Sequence, residues 1–256
     1  MPSGSERNGP KACVFCGGER KLTREHVIPS WLGTVLVDVR PPTGRSPGGK
    51  LITHRFNPGP ESDAAGREWS SDVVDLVVKS VCGECNSGWL HDLETAARPI
   101  VTELVAGHSA VLSTELQRTI ATWSYKTVLL MQLVRPDAAI PPHRLREFYE
   151  LGRPPAGARV SLCRTSGPHA MRETSTEVML STPTLEVPGF FTALALGSLL
   201  VLCAGRLEDG PEQLRVGSHA SHKSTLQVWP ASVRPGIWPP AGTVDGLDPR
   251  DLIRLL

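Results

Sequence analysis

Two C-x-x-C steps constrain this 256-residue chain more than any other feature: "CVFC" at Cys13 and Cys16, and "CGEC" at Cys82 and Cys85. A C-x-x-C step lets two thiolates from one tight turn reach the same ion, and tetrahedral zinc takes four such ligands. Gly17 and Gly83 supply the backbone freedom that turns of this kind use. An ion shared by both steps closes the long intervening chain into a loop, so the fold must bring residue 13 beside residue 82. A disulfide framework is the competing use of paired cysteines. It suits short secreted chains, and residues 1–10, "MPSGSERNGP", lack the apolar run of a secretory leader. The expectation is a disordered leader, a cytoplasmic protein and one structural Zn²⁺. Cys163 and Cys203 fall in apolar, strand-like runs and read as buried thiols.

The rest of the chain reads as α+β. Residues 40–67 are rich in Pro, Gly and Ser and form a long connection, with a short strand at "KLITHRF". "VVDLVVKSVC" is a strand that delivers the second cysteine pair. A helix follows, with Leu90, Leu93, Ala97, Ile100 and Leu104 on one stripe, a kink expected at Pro99 and an end at Gly107. A second helix spans 114–134, with Leu116, Ile120, Trp123, Thr127, Leu130 and Val134 on its apolar face. Pro141-Pro142 opens a third helix through Tyr149, and "GRPPAG" breaks it. From residue 159 onward, runs such as "RVSLCR", "TEVMLS" and "TLQVWP" are strands of an antiparallel sheet backed by these helices.

The charge-free stretch 187–205 raises the question of a membrane span. Pro188, Gly189 and Gly197-Ser198 favour two buried strands joined at Gly197-Ser198 instead. These boundaries give a leader (1–10), an N-terminal domain (11–108) and a C-terminal α+β domain (109–256). A formal net charge of +1 sets up no strong global field, so any basic surface is local and charge leaves the partner open. No membrane partner is expected, and the oligomeric state stays open.

In order, the N-terminal part reads C-x-x-C, Glu-His-x-x-Pro, a strand, then C-x-x-C-Asn opening a helix. This resembles the HNH nuclease family in its cysteine-bearing subgroup, whose ββα-metal motif wraps a catalytic cation between a hairpin and a helix. The likeness rests on Cys13, Cys16, Glu25-His26 with Pro29, Cys82, Cys85 and Asn86, within "EHVIPSWL" and "CNSGWLHDLE", and covers roughly 12–98. It implies an endonuclease that hydrolyses DNA phosphodiester bonds. Glu25 and Asn86 would bind the catalytic cation, Mg²⁺ or Mn²⁺, and His26 would be the general base. The four cysteines would hold the scaffold through zinc.

The chemistry agrees with that division of labour. Phosphodiester hydrolysis needs an activated water, in-line positioning and stabilisation of developing charge. Imidazole suits the base, and a hard cation with oxygen ligands suits the phosphate. Adjacent residues on a strand face opposite sides, so Glu25 and His26 need a bend or irregular turn to converge.

One position departs from the family pattern. Many members carry Asn or His nine residues before the last ligand, and here that position is Val77, with no Asn in 70–84 before Asn86. His54, Asn57 and Asp75 are the available replacements. His91 and Glu94 are candidates for further ligands or a second base, against the plainer reading of a solvated helix face. Trp31 and Trp89 flank the site and read as core. Two rival readings stay open: a non-catalytic zinc module that binds nucleic acid or protein, and an HNH-like scaffold recruited to small-molecule chemistry.

Overall fold

The structure, a computed structural model, describes residues 12–39, 52–56, 67–71, 76–134, 140–181, 186–209, 223–246 and 248–256, with backbone alone at 52–56, 67–71, 168–170 and 181. The expected leader, Asn57 and Asp75 lie outside the described residues.

The N-terminal part is a short hairpin closed by a helix. Strand β1 (Leu22–His26) leads through Pro29 into α1 (Ser30–Asp38). Strands β2 (Ile52–Phe56) and β3 (Arg67–Ser71) pair antiparallel, and β4 (Val77–Cys82) returns to pair antiparallel with β1. The chain then makes a short helical turn, α2 (Gly83–Cys85), and a wider π-type turn, Asn86–Leu90, before α3 (His91–Ala106). The helical run breaks at Gly88 (φ −97°, ψ −115°), whereas Pro99, the expected kink, lies inside α3. Gly107 ends α3 in the left-handed conformation, as its position after the apolar stripe predicts.

Strand β5 (Ala110–Leu112) and the Ser113 cap lead into α4 (Thr114–Leu133), the central helix. The Ser113 hydroxyl accepts the Leu116 N–H at 3.2 Å and satisfies one of the open donors of the first turn. The sequence predicts one apolar face here; the structure buries α4 all round from Ile120 to Gln132. A helix enclosed on every side carries its polar residues into the core, where each needs a partner. Helix α5 (Pro142–Leu151) then sets Phe148 against Tyr125 of α4, with ring centroids 5.3 Å apart.

The C-terminal sheet is organised by two long strands, β6 (Arg159–Ser181) and β7 (Glu186–Arg206), paired antiparallel over most of their lengths. The opposite edge of β6 takes β8 (Thr225–Trp229) antiparallel, and β10 (Thr243–Val244) and β2 parallel. The sheet is therefore mixed rather than purely antiparallel, and β2 and β3 from the N-terminal half belong to it. Strand β9 (Gly236–Trp238) pairs with β5, and α6 (Pro249–Ile253) covers the far side of β7.

The stretch 187–205 is one continuous strand, not two joined at Gly197-Ser198. Before Gly197, Leu194 and Leu196 face the main core and Ala193 and Ala195 face the smaller core under α6; after Ser198, Leu199, Val201 and Cys203 face the main core and Leu200, Leu202 and Ala204 the smaller one. The alternation changes phase at Gly197-Ser198, the signature of a bulge. Gly197 has φ +57°, and a Cβ there would meet the Val105 carbonyl at 2.4 Å, so glycine lets α3 lie on the bend. Burial on both faces explains the charge-free run. No helix among the described residues is long and apolar enough to cross a membrane.

Candidate functional site

The first cysteine pair sits in a tight turn strapped to β4. Cys13 N–H donates to the Gly18 carbonyl, Gly17 N–H to the Cys13 carbonyl, and Val14 N–H to the Ser80 carbonyl, at 2.9–3.0 Å. The second pair sits where β4 becomes α2. The four sulfurs lie within 4.8 Å of one another, and the Sγ atoms of Cys16 and Cys82 are 3.7 Å apart. Zinc–thiolate bonds of about 2.3 Å in a tetrahedron put sulfurs roughly 3.8 Å apart, so the cluster fits a metal ion such as zinc.

Electrostatics prepare the first thiol for that role. Burial pushes the Cys13 thiol up, but backbone N–H groups of Cys82, Cys16 and Phe15 more than offset this and bring it down to about 7. The Cys82 N–H lies 3.3 Å from the Cys13 sulfur. Cys16 and Cys85 are pushed up, chiefly by burial, and a divalent cation is what would hold such thiols deprotonated. Phe15, fully buried, meets Trp89 edge-on at 5.1 Å, and Trp89 meets Phe148 at 5.8 Å, so aromatic packing backs the cluster. Cys163 and Cys203 are buried in the sheet, and burial raises both thiols, Cys163 to about 12.

The β1–β4 hairpin carries the acid–histidine pair. Its register slips between Thr23 and Glu25, one residue before the pair. Glu25 then turns into the interior at 7% exposure, while His26 is exposed, so the neighbours stay on opposite faces. His26 stands opposite Val77, so the register confirms a valine at the place across from the imidazole. Asn86 ties the helical run to β1: its Nδ2 donates to Thr23 Oγ1 and to the Arg24 carbonyl, both at 3.0 Å.

Behind Glu25 lies a polar cluster of Glu94, Trp31, Trp123 and Lys126, in which Trp123, expected as apolar packing on α4, also donates a hydrogen bond, and Lys126 is the member with no expected role. Glu94 Oε2 accepts the indole N–H groups of Trp31 (3.3 Å) and Trp123 (3.2 Å), and Oε1 pairs with the Lys126 ammonium, which has no exposed surface. Glu94 is thus a brace joining α1, α3 and α4. The Arg98 guanidinium covers Trp31, 5.7 Å from its centroid. Glu25 accepts no hydrogen bond among the described residues. Burial pushes its carboxyl up to about 7, with Lys126 drawing it down and Glu94 raising it. The signal for Lys126 is present in the sequence: it is the sole charged residue in 119–134, inside an apolar helix.

Among the described residues, no other group of three or more His, Cys, Asp or Glu side chains lies close enough to share an ion. His91 is exposed on α3, in keeping with a solvated face. Neither the Glu25 carboxylate nor the Asn86 amide oxygen has a hydrogen bond among the described residues. Arg20 pairs with Glu84, and Lys21 and Arg24 are exposed beside the hairpin.

Comparison of the chain with models of protein families, with curated proteins and with solved structures finds no significant match. Of the HNH-like features, the four-cysteine cluster is the one the structure itself establishes.

Proposed function

We propose that this chain is a metal-dependent hydrolase of DNA phosphodiester bonds on an HNH-like scaffold, with His26 as general base and Glu25 and Asn86 holding a divalent cation. The observation that carries the proposal is the working edge of β1 beside the cysteine cluster. An exposed imidazole there adjoins a buried carboxylate that accepts no hydrogen bond among the described residues, and both share a strand with the backbone that Asn86 grips.

His26 is open to solvent, so water and phosphate can both reach its ring, and the imidazole takes the proton of the attacking water. Glu25 and Asn86 contribute one carboxylate oxygen and one amide oxygen. A bound Mg²⁺ or Mn²⁺ would supply stabilisation of charge on the phosphoryl oxygens and the leaving group. The paired Nδ2 bonds of Asn86 keep β1 in register against the helical run, and Lys126 and Glu94 act electrostatically on Glu25. The cysteine cluster clamps the hairpin on which all of this depends.

Relaxation of supercoiled plasmid by the full-length protein in Mg²⁺ or Mn²⁺ tests the proposal. The wild type is expected to nick, and folded, zinc-loaded His26→Ala to lose at least about a hundredfold in rate. Cleavage that survives in His26→Ala overturns the base assignment. No cleavage by wild type in any divalent cation overturns the hydrolase reading.

Two observations favour a second reading, a zinc-stabilised module that binds nucleic acid without cutting it. Lys126 already brings a positive charge to Glu25, and valine stands opposite His26. Salt-dependent binding of duplex DNA with no cleavage selects that reading.

A further inference from the structure

The four cysteine sulfurs converge, but they are not equally enclosed. Cys13, Cys82 and Cys85 are buried, whereas Cys16 keeps part of its surface in solvent. Gly17 and Gly18 follow it and bring no side chain to cover it. A Cβ at Gly18 would fall 3.4 Å from the Cys16 sulfur, so glycine there leaves that flank bare.

The residues beside this open edge come from α5. A Cβ at Gly17 would fall 3.4 Å from the Arg146 Nε, which places that guanidinium against the same turn. Arg146 is exposed and forms no ion pair among the described residues, while Arg20, next to Gly18, is already paired with Glu84. Tyr149, one turn after Arg146, is exposed as well and senses all four sulfurs. Charge on Cys85 first, then burial and charge on Cys16, Cys82 and Cys13, raise its phenol above the ordinary value. A partly exposed cysteine with a cation beside it and a second thiol within reach is the setting in which peroxides react.

The second thiol is Cys82. Its sulfur lies 3.7 Å from that of Cys16, although the two are 66 positions apart in the chain. Cys13 is held differently: its sulfur accepts the Cys82 backbone N–H at 3.3 Å, and a sulfur stabilised in this way is the weaker nucleophile.

We propose that Cys16 is a hydroperoxide-reactive cysteine whose oxidation ends in a Cys16–Cys82 disulfide, a covalent link between the first turn and β4 in place of the ion. With hydrogen peroxide, the Cys16 sulfur attacks one oxygen, the O–O bond breaks, and Cys16 becomes a sulfenic acid as hydroxide leaves. The Cys82 thiolate then attacks the Cys16 sulfur, the S–O bond breaks, and a second hydroxide leaves. The two thiolates together give up one electron pair, the peroxide takes it, and two protons from solvent complete two waters. Loss of two of four ligands releases a bound Zn²⁺ with its oxidation state unchanged. The reaction needs neither His26 nor a second cation, so it stands or falls apart from the hydrolase reading.

The test exposes full-length, zinc-loaded protein to a small excess of hydrogen peroxide, with and without dimedone to trap sulfenic acid. Peptide mass spectrometry maps the modified cysteines while a chromogenic chelator follows zinc. With dimedone, the first adduct is expected on Cys16, at a rate at least about tenfold above any reaction of the buried Cys163 and Cys203. Without dimedone, a peptide pair cross-linked through Cys16 and Cys82 should appear in step with zinc release, and dithiothreitol should reverse it. Because the disulfide is the primary readout, the same mapping decides the matter for protein that carries no zinc. A first adduct on another cysteine of the cluster, a disulfide within either C-x-x-C step instead, or Cys16 reacting no faster than Cys163 and Cys203 would each overturn the proposal.

Discussion

The β1–β4 hairpin and the β6–β7 hairpin are both antiparallel pairs, yet they are ordered by different means. The first has strands of five and six residues, a slipped register and exposed Arg24, His26 and Lys79. A short two-stranded ribbon of this kind is marginal in water by itself. Four clustered cysteine sulfurs that could hold an ion, and an aromatic wedge, stand where its apolar surface is small. The second has strands of 23 and 21 residues, with β7 buried on both faces along most of its length. Its order comes from apolar burial and a long ladder. The difference teaches where chemistry can sit: a ligand-clamped hairpin can leave its imidazole in solvent, and a burial-clamped one cannot.

Removing the metal should separate the two regions most. Chelation, or Cys82→Ser, is expected to abolish zinc binding and cost the N-terminal hairpin on the order of 10 kcal/mol of local stability. Hydrogen exchange would show amides of β1 and β4 losing protection while β6 and β7 keep theirs. Equal loss in both regions would mean that the cluster holds the whole core. Next comes the brace between them. Lys126→Met strands the Glu94 carboxylate in its indole cage and should cost about 3–5 kcal/mol in denaturant unfolding, and pairing it with Glu94→Gln should recover part of that loss. Additive losses would show that the two charges do not interact.

Within the burial-ordered region, Gly197→Ala introduces a Cβ at positive φ against the Val105 carbonyl. A loss of about 2–4 kcal/mol is expected, read as a lower unfolding midpoint with zinc content intact. The smallest effect belongs to the ligand-ordered region. Asn86→Ala removes two hydrogen bonds at a partly exposed site, about 1–2 kcal/mol, and faster exchange should be confined to β1. Loss of zinc in that variant would contradict the division between clamp and working edge.

The sequence made the cysteine convergence legible because C-x-x-C spacing encodes geometry locally. The Gly107 stop, the span of α4 and the buried state of Cys163 and Cys203 were legible for the same reason. Long-range facts were not. Gly197-Ser198 carries the same signal for a turn as for a bulge, and only pairing along β6 distinguishes them. The apolar stripe of α4 hides its enclosure, since periodicity reports the most buried face and not whether the others are covered. The parallel entry of β2 into the β6 sheet depends on a crossover that leaves no local mark. Glu25 and His26 were legible as a pair, whereas the inward turn of Glu25 toward Lys126 follows from α4 packing far along the chain. Lys126 itself could have been flagged as a single charge inside an apolar helix.

X-ray absorption at the zinc edge of the purified full-length protein tests the central claim most directly. The account predicts one zinc per chain with four sulfur neighbours at about 2.3 Å. A zinc-free protein that keeps its β1–β4 amides protected, or a zinc bound through nitrogen and oxygen, would contradict it.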